Sequence, residues 1–391
     1  MKKSTGIIML SVQMALAAMM VTGIGLALPR FSEEYGFTLW QQGVLVSAQF
    51  AGFTVAVLIG GLLADKFGKI KMLTISLLCM AVAVALFGSI SFYAVALVAV
   101  ILVGASTGVA ENAIMALALV VNPEKKDSNS MMVQVFFSIG GIAIPLLFLF
   151  AVKVLGSWRW CYYTIGVVIL ILFLMMLGKE SDMQKGKMVS WKDAFSQYLI
   201  IFKNPKYLIA PLALFLYLGA EIGIWAFAPV FFEEQGFGML SGIFSSVMIW
   251  FLILIGRLIV AYMVKKKVSI VPIMIVSACI AVVSLVVLIF ASSQWSVIIA
   301  AIAGFACSPF YPLIILWTTR ISGQESSAMI ATTMAFGSFG PVVLSSLTGV
   351  VADAFGAHFI MAVPAACYAL VLILLIAFGR MRGASEEAVT Q

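Results

Sequence analysis

Three ionisable side chains fall inside runs of residues that are otherwise apolar enough to cross a lipid bilayer: Glu111, Glu221 and Arg257. A charge at the bilayer centre costs about 2.5 kcal/mol or more, so such residues usually carry function. Glu111 lies ten residues before Val121, about 15 Å along a helix, which places it near mid-membrane. Its helix face carries Gly104, Thr107, Gly108 and Met115, and the small residues leave room for water or a ligand. A carboxyl in such a cavity can bind and release a proton near neutral pH, or touch a substrate directly. The bland alternative is an interhelix hydrogen bond. Asn112 points about 100° away and is a weaker ligand candidate that can also join helices.

Tyr217, Glu221 and Trp225 share one helix face at i, i+4 and i+8. Rings beside a carboxylate suit a polyhydroxylated ligand, which stacks its apolar face and donates hydroxyl protons. They suit an organic cation equally, or a packing face with a buried acid. Glu221 lies fourteen residues beyond Tyr207, in the outer half of its run. Arg257 is near the inner end of its own run, where it can snorkel or satisfy an acid or carbonyl. With no second buried base, the centre is acidic on balance, so neutral or cationic ligands are favoured over anionic ones. Gln13, Gln49, Gln134, Tyr311 and Trp317 complete the candidate lining.

These residues need a membrane framework, and the composition requires one. Of 391 residues, 63% are hydrophobic and 10% charged, against about 45–50% and about 25% in soluble domains. A water-soluble or disordered chain is excluded. Twelve apolar runs are long enough to span: 6–28, 43–64, 72–90, 92–121, 131–152, 160–178, 207–230, 239–264, 268–291, 295–317, 326–352 and 359–378. With the N-terminus in the cytoplasm, cytoplasmic segments hold 19 of the 23 basic residues, and the outside receives Arg30, Lys153 and Arg159. This asymmetry predicts a multi-pass protein of the cell membrane with both termini inside. The net charge of +7 is then a topology signal and not a nucleic-acid surface. The first span is read as a retained helix ending at Pro29, not a cleaved signal. The five cysteines are read as buried small apolar residues. Trp40, Trp158, Trp160 and Trp295 are read as interface anchors.

Residues 179–206 form the long polar stretch, with six lysines. They separate a bundle over 1–178 from another over 207–391. Within the linker, Trp191, Phe195, Tyr198 and Phe202 recur at helical spacing, which predicts a short amphipathic helix on the inner membrane face. Pro309 and Pro312 should break the tenth span. Gly140, Gly141 and Pro145, and Gly337, Gly340 and Pro341, mark bends or close packing. The octet 61–68 agrees with the octet 349–356 at five positions. The two follow the middle spans of three-helix units on opposite faces, the trace of inverted repeats.

Gly61-x-x-x-Asp65-Lys66-x-Gly68-Lys69-x-Lys71 resembles the signature of the major facilitator superfamily between spans two and three. The resemblance covers the whole chain. It implies an all-α fold of twelve helices in two pseudo-symmetric six-helix bundles, and gating roles for Gly61, Asp65, Lys66, Gly68 and Lys69. The corresponding loop after the eighth span, Lys265-Lys266-Lys267, lacks the acid and the glycine. Gly108–Asn112 with Gln134 and Gly140-Gly141, and Tyr217–Glu221, resemble the fucose-permease-like branch of sugar:proton symporters. That branch implies proton and substrate contact at Glu111 and a lining role at Glu221; as an intramembrane acid, Glu221 is also a candidate for proton coupling. The acid this branch has in its first span is missing from Gly23–Pro29, so fucose is not implied.

The expected function is secondary active, proton-coupled uptake of a sugar or similar neutral solute by a monomer, with protons and the bilayer as its other partners. The alternatives are an efflux antiporter for organic cations and a non-transporting sensor on the same fold. No nucleotide-binding loop, metal-ligand spacing or catalytic constellation occurs. Enzyme activity, a cofactor, a metal and nucleic-acid binding are therefore not expected.

Overall fold

The computed structural model describes residues 3–121, 125–178, 205–266, 268–290, 293, 295–322 and 326–389. Within these, the side chains of 3–5, 61, 62, 65, 126–128, 205, 206, 320–322, 326–328, 331 and 378–389 are outside the description. The amphipathic stretch expected around Trp191, Phe195, Tyr198 and Phe202 lies outside the described residues, as do the side chains of Gly61 and Asp65.

The chain folds into α1 (Lys3–Tyr35), α2 (Leu39–Phe67), α3 (Lys69–Gly88), α4 (Tyr93–Val121), α5 (Lys126–Val154), α6 (Arg159–Met176), α7 (Pro205–Glu234), α8 (Gly238–Lys265), α9 (Ile270–Ile289), α10 (Ser296–Cys307), α11 (Phe310–Ser322), α12 (Ser326–Phe355) and α13 (Ala362–Val389). The twelve expected apolar runs appear as twelve helical crossings among the described residues. In hydrocarbon a backbone must satisfy its own hydrogen bonds, which a helix does within one segment. Large apolar side chains cover the exterior, including Phe290, Val283 and Ile373. Both chain ends fall on one side, called here the terminal face; the opposite side is the distal face.

The tenth crossing is built from α10 and α11, with a break at Ser308-Pro309, as the two prolines require. Pro29, by contrast, does not end α1, which continues to Tyr35. The extension is held on the distal side, where Arg159 donates to Glu34 Oε2 at 2.6 Å and Tyr35 donates to the Ile90 carbonyl at 2.5 Å. Pro145 and Pro341 likewise lie inside continuous helices. The glycines near them serve close packing: a Cβ at Gly140 would collide with the Ala15 carbonyl, and one at Gly340 with that of Phe215. Trp158 is no interface anchor, for it is buried and donates to Glu34 at 2.6 Å. Trp40, Trp160 and Trp295 are exposed. Cys161, Cys307 and Cys367 are buried, but Cys79 and Cys279 face outward.

The internal repeat has a backbone counterpart. Gly68 closes α2 at φ 98°, and Gly356 follows α12 at φ 99°. Each donates its N–H to the carbonyl four residues back, Ala64 and Ala352 respectively. Side chains disfavour this φ, so glycine is needed at both positions.

The first-half helices α1–α6 and second-half helices α7–α13 meet through their distal portions. Arg30 of α1 pairs with Glu233 of α7. The backbones of Gly43 and Gly349 touch so closely that a Cβ on either would overlap the other. Ser346 donates from its backbone N–H to Ser47 Oγ at 2.8 Å. Nearer mid-membrane, Thr54 donates to the Ser338 carbonyl at 2.9 Å. On the other side of the molecule, Gly141 of α5 packs against the Trp250 ring of α8.

Candidate functional site

The centre lies where these cross-half contacts give way toward the terminal face. Arg257 of α8 occupies it. Side chains lean toward the N-terminus of their helix, and α8 begins at the distal face. Arg257, eight residues before Lys265, therefore reaches back toward mid-membrane. Its Nη1 donates to Ser138 Oγ of α5 at 3.2 Å, and its Nη2 lies 3.6 Å from Glu221 Oε1 of α7. The latter exceeds hydrogen-bond distance, so the attraction is one of charge. The Glu221 side chain is 9% exposed and that of Arg257 25%. The guanidinium is thus the open member of the pair.

Glu111 of α4 is half-buried, and its Oε1 is buried with no hydrogen-bond partner among the described residues. Tyr311, at the start of α11, lies within Coulombic reach of Glu111, Glu221 and Arg257 together. The helix break just before it allows α11 to present Tyr311 there. Tyr311 thus links electrostatically the unpaired acid of the first half and the acid–base pair of the second.

Next to this centre, on its distal side, runs a chain of rings. Phe50 and Trp225 lie 6.2 Å apart, Trp225 and Trp250 5.8 Å, and Trp250 and Phe137 6.0 Å. These span α2, α7, α8 and α5, so rings from both halves interleave. Edge-on or tilted pairs of this kind add about 0.5–1.5 kcal/mol each beyond area burial.

The remaining candidates are distributed. Tyr217 is fully buried in the second half, stacked on Phe310 at 5.5 Å. Trp317 is buried on α11. Asn112 donates to the Val57 carbonyl of α2 at 2.9 Å and so joins two helices. Gln49 is buried and donates to the Val21 carbonyl at 2.9 Å, leaving Oε1 without a partner among the described residues. Gln13 is buried with neither amide atom partnered among them. Gln134 is exposed and contacts Met115 Sδ at 3.6 Å. At the terminal end of α2, Lys66 is exposed over the Phe67 ring, Gly68 makes the turn and Lys69 opens α3.

Sequence reasoning missed Ser138, Trp250, Phe50 and Phe137. It also assigned Arg257 a peripheral place. A signal for the pair was present: a lone intramembrane base needs an acid, and allowing for the long arginine side chain brings Glu221 into range.

The chain matches the Major Facilitator Superfamily over residues 10–295 and belongs to that family of membrane transporters. It is therefore a multi-pass transporter and not an enzyme. It is 25% identical over 334 residues to the glucose/mannose transporter GlcP of Bacillus subtilis (strain 168), covering 82% of this chain and 81% of that protein. It is 25% identical over 395 residues to the L-fucose-proton symporter of Escherichia coli (strain K12), covering 91% and 88%. Its fold matches the crystal structure of the nucleoside transporter NupG with a TM-score of 0.79 at 13% identity, over 96% of this chain and 99% of that one.

Proposed function

We propose that this transporter imports a sugar or similar neutral polyol together with a proton, by alternating access between its two halves. The observation that carries the reading is Glu111: a half-buried carboxyl in a membrane-spanning helix, with an unpartnered oxygen among the described residues and within Coulombic reach of Tyr311. A charged carboxylate held this way is costly to enclose, and taking up a proton removes the cost. Glu221 is balanced by Arg257, so Glu111 is the group free to exchange a proton with each side. Relatives named as a glucose/mannose transporter and an L-fucose-proton symporter support the same reading.

With the terminal face taken as cytoplasmic, as the basic residues indicate, the halves are closed on the outside. In the outward-open state Glu111 would take up a proton and the sugar would load against Trp225 and Tyr311. The neutral complex would then be enclosed as the halves rock, with Gly61, Asp65, Lys66, Gly68 and Lys69 latching the cytoplasmic side. Release of sugar and proton inside would return the protein to the state described here.

A second reading, efflux of organic cations, is favoured by the ring chain from Phe50 to Phe137 beside one unpaired acid. Thermal stabilisation of the purified protein by hexoses and pentoses, against cationic dyes, separates the two. Stabilisation by sugars, followed by their pH-driven uptake in proteoliposomes, supports import. Stabilisation by dyes alone overturns it.

A further inference from the structure

We infer that Glu221 sets the charge class of the ligand: by occupying the guanidinium of Arg257, it closes the site to carboxylate-bearing sugars and reserves it for neutral ones. The inference rests on the sugar-transport reading above and adds a residue that determines specificity within it.

The geometry is that of a base half in use. Among the described residues Arg257 donates one hydrogen bond, from Nη1 to Ser138, and its contact with Glu221 is a 3.6 Å charge pair without a hydrogen bond. A quarter of its side chain is exposed while Glu221 is covered. A guanidinium is a planar fork matched to a carboxylate, which it can hold through two parallel hydrogen bonds. Ser138 belongs to the opposite half, so it would keep the fork in the centre even without Glu221. What excludes an acidic sugar is then its neighbourhood. A ligand carboxylate on Arg257 would stand beside the Glu221 carboxylate. Like charges at such range disfavour binding by about a hundredfold or more. Rejection built from a repulsive neighbour is a common way to separate ligands of the same shape.

The test uses the full chain in nanodiscs with matched probes: glucose against glucuronate and galactose against galacturonate, by equilibrium binding. The wild type should bind a neutral hexose and bind its uronate at least tenfold more weakly. Glu221→Gln should bind the uronate at least tenfold more tightly than the wild type does, and Glu221→Gln combined with Arg257→Gln should lose that gain. Labelling of Arg257 by phenylglyoxal, read by mass spectrometry, should be several-fold faster in Glu221→Gln. Glu221→Asp keeps the charge but withdraws it, and should show an intermediate gain; it carries the test if Glu221→Gln does not fold. Unchanged uronate binding in these variants overturns the inference, whether or not labelling quickens. So does a wild type that binds uronate as well as hexose. If the wild type binds no neutral sugar while Glu221→Gln gains uronate through Arg257, the masking role stands and the import reading falls.

Discussion

Arg257 of α8 donates to Ser138 of α5 across the midline of the protein, at 3.2 Å, while its second amino group faces Glu221 at 3.6 Å. One side chain thus ties the two halves at the level of the candidate centre and neutralises an acid there. Among the described residues, Glu111 is then the carboxyl of the spanning helices left without a base or a partner for its buried Oε1.

Arg257→Gln should destabilise the protein by about 2–3 kcal/mol, because removing the base strands the covered Glu221 carboxylate. Replacing Glu221 by Gln in the same chain should restore part of that loss, since two neutral groups replace an orphaned charge. Thermal melting of the single and double variants checks this. Additive losses would show that the two side chains do not act as a pair.

Gly141→Val should disfavour the distal-closed arrangement. A Cβ at Gly141 would lie 2.5 Å from a Trp250 ring carbon, and overpacking of this kind costs about 1–3 kcal/mol. The distal-open population should rise about tenfold, read from spin-label distances between the distal ends of α5 and α8. An unchanged distribution would mean that this contact does not hold the state.

Gly68→Ala and Gly356→Ala should cost similar amounts, about 1–3 kcal/mol each, since both glycines hold an extended backbone at positive φ, 98° and 99°, that side chains disfavour. Melting midpoints of the two variants in one detergent give the comparison. A large loss at one and none at the other would separate the two turns energetically.

Much of this framework was legible before any coordinates. The apolar runs predict the twelve crossings because a membrane leaves the backbone few choices. The paired octets anticipate the matched glycine turns, and Pro309 with Pro312 anticipates the break that presents Tyr311. Lateral contacts were less legible. Nothing local to Arg257 names Ser138 as its partner, because that contact depends on how two halves dock. Pro29 read as a helix end, yet the ion pairs beyond it hold α1 in register to Tyr35. Trp158 read as a membrane anchor for the same reason: its partner, Glu34, is 124 residues away in sequence.

The central claim is that Glu111 exchanges the coupling proton. In proteoliposomes holding Glu111→Gln, an imposed pH gradient should drive no accumulation of a sugar that the wild type concentrates, while exchange of that sugar at equal pH remains measurable. Gradient-driven accumulation equal to the wild type would contradict the account.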